Sequence, residues 1–234
     1  MKFRVSSEVF KKLDNVCFGV IVVNGIDNTL EKNDIIEKLN QEIKNCENKL
    51  KNIKIKELED ILHYRNAFKK IEINPNKFMS SIEAMLTRTS KGKGLPSISP
   101  IVDLGNTVSL KYMVPLGAHD IDTLDGDIEV RFSKKGDTFI PLGTEEIETL
   151  KEGELIYSAG DNVRTRRWIW RQSEQGKITN ESKNIFFPID GFTNENYDRV
   201  ISARDELASL LKDVFSCDVK VGFVDKDNTE FEIY

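Results

Sequence analysis

A chain of 234 residues with 39% hydrophobic and 31% charged residues, among them thirteen Phe and five Tyr, has enough apolar surface to fold around a core, which excludes a disordered chain. The formal net charge of −5 excludes a general polyanion coat of the nucleic-acid-packaging kind while leaving a local basic patch open. No apolar run approaches the roughly 20 residues that span a bilayer, so no membrane partner is expected.

Met1 to Lys12 lacks the apolar stretch of a signal peptide, and nothing along the chain has linker composition. A cytoplasmic protein with one folding unit over residues 1–234 is the expectation. Cys17, Cys46 and Cys217 are odd in number and widely spaced, so they make neither a disulfide framework nor a zinc set.

Val16 to Val23 is a β-branched run closed by Asn24-Gly25, which predicts a buried central strand. From Thr29 to Lys56 the apolar residues Ile35, Ile36, Leu39, Ile43 and Leu50 fall at helical spacing, a long amphipathic helix with a candidate break near Asn45. Glu57 to Phe68 continues helically until Asn74-Pro75-Asn76 interrupts the pattern. Ser80 with Glu83 in the first turn caps a further helix to about Arg88.

Ser90 to Pro100, with two Gly and two Pro, is loop chemistry, and Ile101 to Val114 is apolar with few breakers. Asp127 to Phe132 alternates as a half-buried strand, and Phe139 to Leu142 and Glu154 to Ser158 are short strand candidates. Val163 to Gln172 also alternates, which would place Arg164, Arg166, Trp168, Trp170 and Gln172 on one face. A strand at Asn184 to Pro188, a helix from Glu195 to Phe215, and a closing hairpin of Asp218 to Val224 with Glu230 to Tyr234 complete the chain.

Several chemistries lack their motifs. Gly92-Lys93-Gly94 has no phosphate-loop spacing, and no nucleophile elbow is present. The Asp120, Asp122, Asp125, Asp127 run lacks the Gly and Glu positions of a calcium loop. Only His63 and His119 are present, with no Cys beside either, so neither a metal nor another cofactor is expected. What remains is a basic, Trp-bearing stretch, with Arg164, Arg166, Arg167 and Arg171 inside eight residues. It reads either as a solvated face or as a patch joining phosphate contacts to base stacking.

Leu95 to Leu142 resembles the B3/B4 editing domain of the bacterial phenylalanyl-tRNA synthetase beta chain, which reads PxNxVVDxTNYVxxExGxPLHAFD there. Val102, Asp103, Asn106, Val108, Pro115, Leu116, Ala118 and Asp120 match in order and spacing. A weaker correspondence runs through Thr179 to Phe192. Tyr64 to Arg171 is similar to the standalone proteins built from this domain, which share SxEAxxxR (Ser81, Glu83, Ala84, Arg88) and RRWxWRQ (Arg166 to Gln172). The resemblance implies an α+β fold, a mixed or antiparallel sheet flanked by helices. Two departures stand out: Gly117 replaces the His of PLHAFD, and Pro188 replaces a pocket Glu.

The resemblance further implies hydrolysis, in trans, of the ester of a mischarged tRNA, with a pocket that differs from the tyrosine-recognising one. His119 is then the candidate to orient or deprotonate water, and backbone donors near Gly117 are candidates for the oxyanion. Asp103 and Asn106 would anchor the loop or the substrate amine. Trp168, Trp170, Arg171 and Gln172 would line the pocket, and Arg166 and Arg167 would contact tRNA phosphates. A non-catalytic tRNA-binding module of the same fold, or an amino-acid-binding protein or esterase indifferent to tRNA, are the rival expectations.

Overall fold

The computed structural model describes residues 1–29 and 33–234. In chain order its elements are β1 (Lys2–Val5), α1 (Ser7–Lys12), β2 (Val16–Asn24), α2 (Asn33–Leu50), α3 (Glu59–Lys70), α4 (Ser81–Thr89) and α5 (Pro100–Tyr112). There follow β3 (His119–Asp120), β4 (Ile128–Phe132), β5 (Thr138–Phe139), β6 (Glu148–Thr149), β7 (Leu155–Ala159), β8 (Asn162–Arg166) and β9 (Arg171–Gln172). The last are β10 (Ile185–Phe192), α6 (Tyr197–Phe215), β11 (Asp218–Val224) and β12 (Glu230–Glu232).

Among the described residues the strands form two sheets, so the α+β class holds. The larger runs β12-β1-β4-β7-β8-β5-β6 with β9 beside β8, and is mixed: β1–β4 and β5–β8 are parallel pairs. The smaller, β11-β2-β10-β3, is antiparallel throughout. The β2 run carries no polar side chain before Asn24 because both of its faces are buried. Phe18, Val20 and Val22 join one core, Ile21 and Val23 the other. The second core lies under α5 and α6, through Leu104, Val108, Val200, Ala203 and Leu207. The first lies between the sheets, where Phe3 of β1 meets Phe18 edge-on at 5.6 Å and Phe186 at 4.9 Å.

Local chemistry explains the helix starts. Ser80 Oγ accepts from Glu83 N at the head of α4, and Ser99 Oγ accepts from Val102 N with Pro100 in the first turn of α5. The α5 segment is the apolar stretch that sequence left unassigned. No helix among the described residues is long and apolar enough to cross a membrane.

Four expectations change. The helix predicted over Thr29 to Lys56 covers Asn33–Leu50, unbroken at Asn45, with a separate 3₁₀ turn at Ile55–Glu57; Leu30, Glu31 and Lys32 lie outside the described residues. β1 and α1 occupy a stretch that carried no predicted element. The closing hairpin is not a ladder, because β11 pairs with β2 while β12 pairs with β1, one in each sheet. The strand expected from Val163 to Gln172 is broken: β8 ends at Arg166, and Arg167 and Trp168 turn the chain with φ of 50° and 60°. Two consecutive non-glycine residues in the left-handed region cost free energy, which packing must offset.

Candidate functional site

A cavity with about 440 Å³ of open space lies where β10, the Pro115–His119 segment and the 168–172 turn converge. Its position follows from a loosened ladder. Pro188 in β10 has no N–H to give, and its carbonyl accepts from Gly117 N at 3.0 Å, while Asp190 N donates to Pro115 O at 3.1 Å. Leu116 bridges Ile189 between them. The segment is thus tied to β10 at two points, and Gln172 Nε2 fixes it from the other side by donating to Ala118 O at 2.7 Å.

A buried carboxyl lines the cavity, that of Asp190, 2% exposed. Tyr157 Oη donates to its Oδ1 at 2.7 Å and Trp168 Nε1 to the same oxygen at 2.6 Å. Trp168 reaches it because the left-handed turn drives the indole into a cage of Tyr64, Phe68 and Phe192. Behind the carboxyl, Tyr64 Oη donates to Asp190 O at 2.9 Å and accepts from Asn196 Nδ2 at 2.8 Å. Burial pushes the Asp190 carboxyl up to about 7, against the opposing pull of its two donors. Burial likewise holds the Tyr157 and Tyr64 hydroxyls well above their ordinary range, so both remain neutral donors.

His119 also lines the cavity, its ring stacked on Tyr157 at 5.8 Å and facing Phe186 at 6.4 Å. Burial, with the Arg164 charge adding, pushes its imidazole down to about 3. An imidazole so weakly basic gains little from taking a proton at neutral pH, which favours the water-orienting half of the expectation over the deprotonating one. His119 Nδ1 is buried without a partner. The cheaper tautomer leaves Nδ1 bare and keeps the proton on Nε2, making His119 a neutral N–H donor.

Of the other predicted residues, Gly117, Trp168, Trp170, Arg171 and Gln172 line this cavity. Asn106 lines a neighbouring apolar groove of about 680 Å³, with Ile98, Val102 and Leu142, which shares Leu116, Gly117 and Gln172 with the cavity. Asp103 is fully buried and lines neither space; it accepts from Ser97 Oγ and Ile98 N, which is the loop anchor among its two expected roles. The Gly117 amide is committed to Pro188 O and is no free oxyanion donor.

Arg166 and Arg167 are committed as well. Arg166 pairs with Glu154 at 2.9 Å and Glu148 at 2.5 Å. Arg167 pairs with Glu154 at 2.9 Å and lies over the Phe78 and Trp170 rings at 4.0 and 4.7 Å. Arg171 is exposed at the rim and makes no side-chain hydrogen bond or ion pair among the described residues. Asp190 and Tyr157 were missed by sequence. The signal for Asp190 was present: it is a lone acid in the otherwise apolar IFFPIDGF strand. No group of three or more His, Cys, Asp or Glu is placed to hold a metal ion among the described residues.

A family model for the B3/4 domain matches residues 63–215, which contains every residue of this cavity. The chain belongs to the B3/4 domain family. Among curated relatives, the phenylalanine–tRNA ligase beta subunit of Fusobacterium nucleatum is 36% identical over 129 residues, 54% of this chain and 15% of that protein. The same subunit from Colwellia psychrerythraea is 32% identical over 114 residues, 49% of this chain and 14% of that protein. The chain therefore spans only about a seventh of the length of these relatives. An N-terminal fragment of the phenylalanyl-tRNA synthetase beta subunit from Pyrococcus horikoshii matches 93% of this chain and 49% of its own, with a TM-score of 0.50 and 14% identity, a likeness of fold.

Proposed function

We propose that this B3/4 chain, acting as one unit over residues 1–234, is a trans-editing deacylase that hydrolyses the ester joining a wrong amino acid to a tRNA. The observation that carries this is the convergence on one cavity, with a buried titratable carboxyl, of PLGAHD, which resembles the editing domain, and WRQ, which resembles the standalone proteins built from it. The amino acid would enter the cavity, leaving the ester near Gly117 and the tRNA outside. An aminoacyl ester is already activated, so the protein has chiefly to position water and stabilise the oxyanion. Neutral His119, through Nε2–H, is the donor available for that oxygen once the Gly117 amide is excluded. Arg171 at the rim is the cation free to meet a phosphate. A protein acting on tRNA would work in the cytoplasm.

The second reading, an amino-acid-binding protein indifferent to tRNA, is favoured by the ion pairs that occupy Arg166 and Arg167. The test is release of amino acid from a panel of mischarged tRNAs, with correctly charged tRNAs as controls. Turnover of one mischarged pair with its correct counterpart spared supports editing. Binding of tRNA without turnover points to a non-catalytic module, and indifference to tRNA to the second reading.

A further inference from the structure

We infer that the Asp190 carboxylate is the anchor for a nitrogen cation of the amino acid bound in the cavity. The inference rests on the proposal that an amino acid occupies that space, but it needs neither tRNA nor hydrolysis. The ground is an imbalance of charge and hydrogen bonding. Asp190 is buried at the cavity, and both of its side-chain donors, Tyr157 Oη and Trp168 Nε1, go to Oδ1. Among the described residues Oδ2 accepts no hydrogen bond, and no Lys, Arg or His pairs with the carboxyl. Neutral donors alone leave a buried carboxylate costly, and the chemistry that relieves the cost is a cation brought in by the ligand.

The surroundings favour the same occupant. The groups around Asp190 are Tyr157 from β7, Trp168 from the turn, Tyr64 from α3 and Cys17 from β2, with His119 of β3 elsewhere on the cavity wall, and burial keeps each of the titratable ones neutral. No competing charge of the protein's own therefore fills the position, and Arg171 stands at the exposed rim. The walls of Tyr157, Trp168 and Trp170 are aromatic and bring no charge of their own to the position. A carboxyl held up to about 7 by burial is what such a site shows when empty, and a bound cation would draw its proton off. Two parts of an amino acid carry this chemistry, the α-ammonium and a basic side chain.

The experiment is calorimetric titration at pH 7.5 of the wild-type chain and Asp190→Asn with three probes that share an unbranched four-carbon side chain and a C-terminal amide. Norleucine amide carries only the α-ammonium, Nα-acetyl-lysine amide only a side-chain ammonium, and Nα-acetyl-norleucine amide neither. At least one cationic probe should bind the wild-type chain about thirtyfold tighter than the neutral probe, and Asp190→Asn should erase the difference. The probe that shows the preference identifies the source. Asparagine can still accept from Tyr157 and Trp168, so the variant should fold, as judged by its circular dichroism. Tyr157→Phe keeps the carboxylate and removes one donor, so it should retain the preference but lose it at a higher pH as the solution is acidified. Equal binding of all three probes, no binding of either cationic probe, or a preference that survives in Asp190→Asn overturns the inference. A cation preference with no deacylation would refute the proposed activity alone, and deacylation with no cation preference would refute the anchor alone.

Discussion

Asp190 and His119 face one cavity with pKa values displaced in opposite directions, which makes their contributions to stability measurable against each other. The Asp190 carboxyl is raised from 3.8 to about 7, so between those values the folded chain holds a proton that the unfolded chain has lost. Its contribution therefore falls as pH rises from about 4 to about 7. The His119 imidazole is lowered from 6.5 to about 3, so in that window the unfolded chain holds the proton, and its contribution rises with pH. Each slope is at most about 1.4 kcal/mol per pH unit and flattens near pH 6.5, so from pH 4.5 to 6.5 each changes stability by about 2 kcal/mol. In the wild-type chain they oppose each other. Asp190→Asn should unmask the histidine, losing stability as pH falls relative to wild type. His119→Gln should unmask the aspartate, losing stability as pH rises. Urea denaturation at pH 4.5, 5.5 and 6.5, followed by tryptophan fluorescence, measures both difference curves. Flat curves, or two curves of the same sign, would refute the assignment of a neutral imidazole and a proton-holding carboxyl to this cavity.

Two further outcomes follow from packing and charge. A Cβ at Gly191 would lie 2.3 Å from Val200 Cγ2 and 2.8 Å from Asn196 Oδ1, so Gly191→Ala should lower the urea-derived stability by about 1–3 kcal/mol. Asn196 is the residue that orients Tyr64 behind Asp190, so the variant should also weaken ligand binding. If tRNA binds, Arg171→Gln should reduce the slope of log affinity against log salt by about one unit, whereas Arg166→Gln, whose arginine is paired with Glu148 and Glu154, should leave it unchanged. The reverse result would return the phosphate contacts to the paired arginines.

Periodicity and capping made β2, α3, α4, α6 and β11 legible in the sequence, because burial on one or two faces leaves a regular apolar pattern. The motif match located most of the cavity wall. The 163–172 stretch was misread for a physical reason: Arg-Trp-Ile-Trp-Arg alternates as a strand does, and nothing in it has the Gly or Asn that announces a left-handed turn. Arg166 and Arg167 looked like a free basic patch because their acidic partner Glu154 lies twelve and thirteen residues upstream, on the residue before β7, and Glu148 lies farther still. Charge pairing across a sheet leaves no local signature. Asp190 left one, an acid inside an apolar strand, but its meaning needed Tyr157 and Trp168 from elsewhere in the chain.

Those three residues come from three different structural settings, and that explains how the carboxyl can be both buried and supplied with donors. Asp190 belongs to the small sheet, Tyr157 to the large one, and Trp168 to the strained turn that closes the large sheet against α4, whose first amide, Ser81 N, donates to Ile169 O. The aromatic layer of Phe3, Phe18, Phe186 and Tyr157 presses the sheets together immediately behind the carboxyl. Packing free energy between the sheets therefore holds two neutral donors on one carboxylate oxygen, which is a weaker restraint on charge than a built-in arginine would be. An internal salt bridge would have fixed Asp190 as permanently ionised and satisfied. Leaving the carboxyl with neutral partners keeps one oxygen and one unit of charge in reserve for whatever enters the cavity.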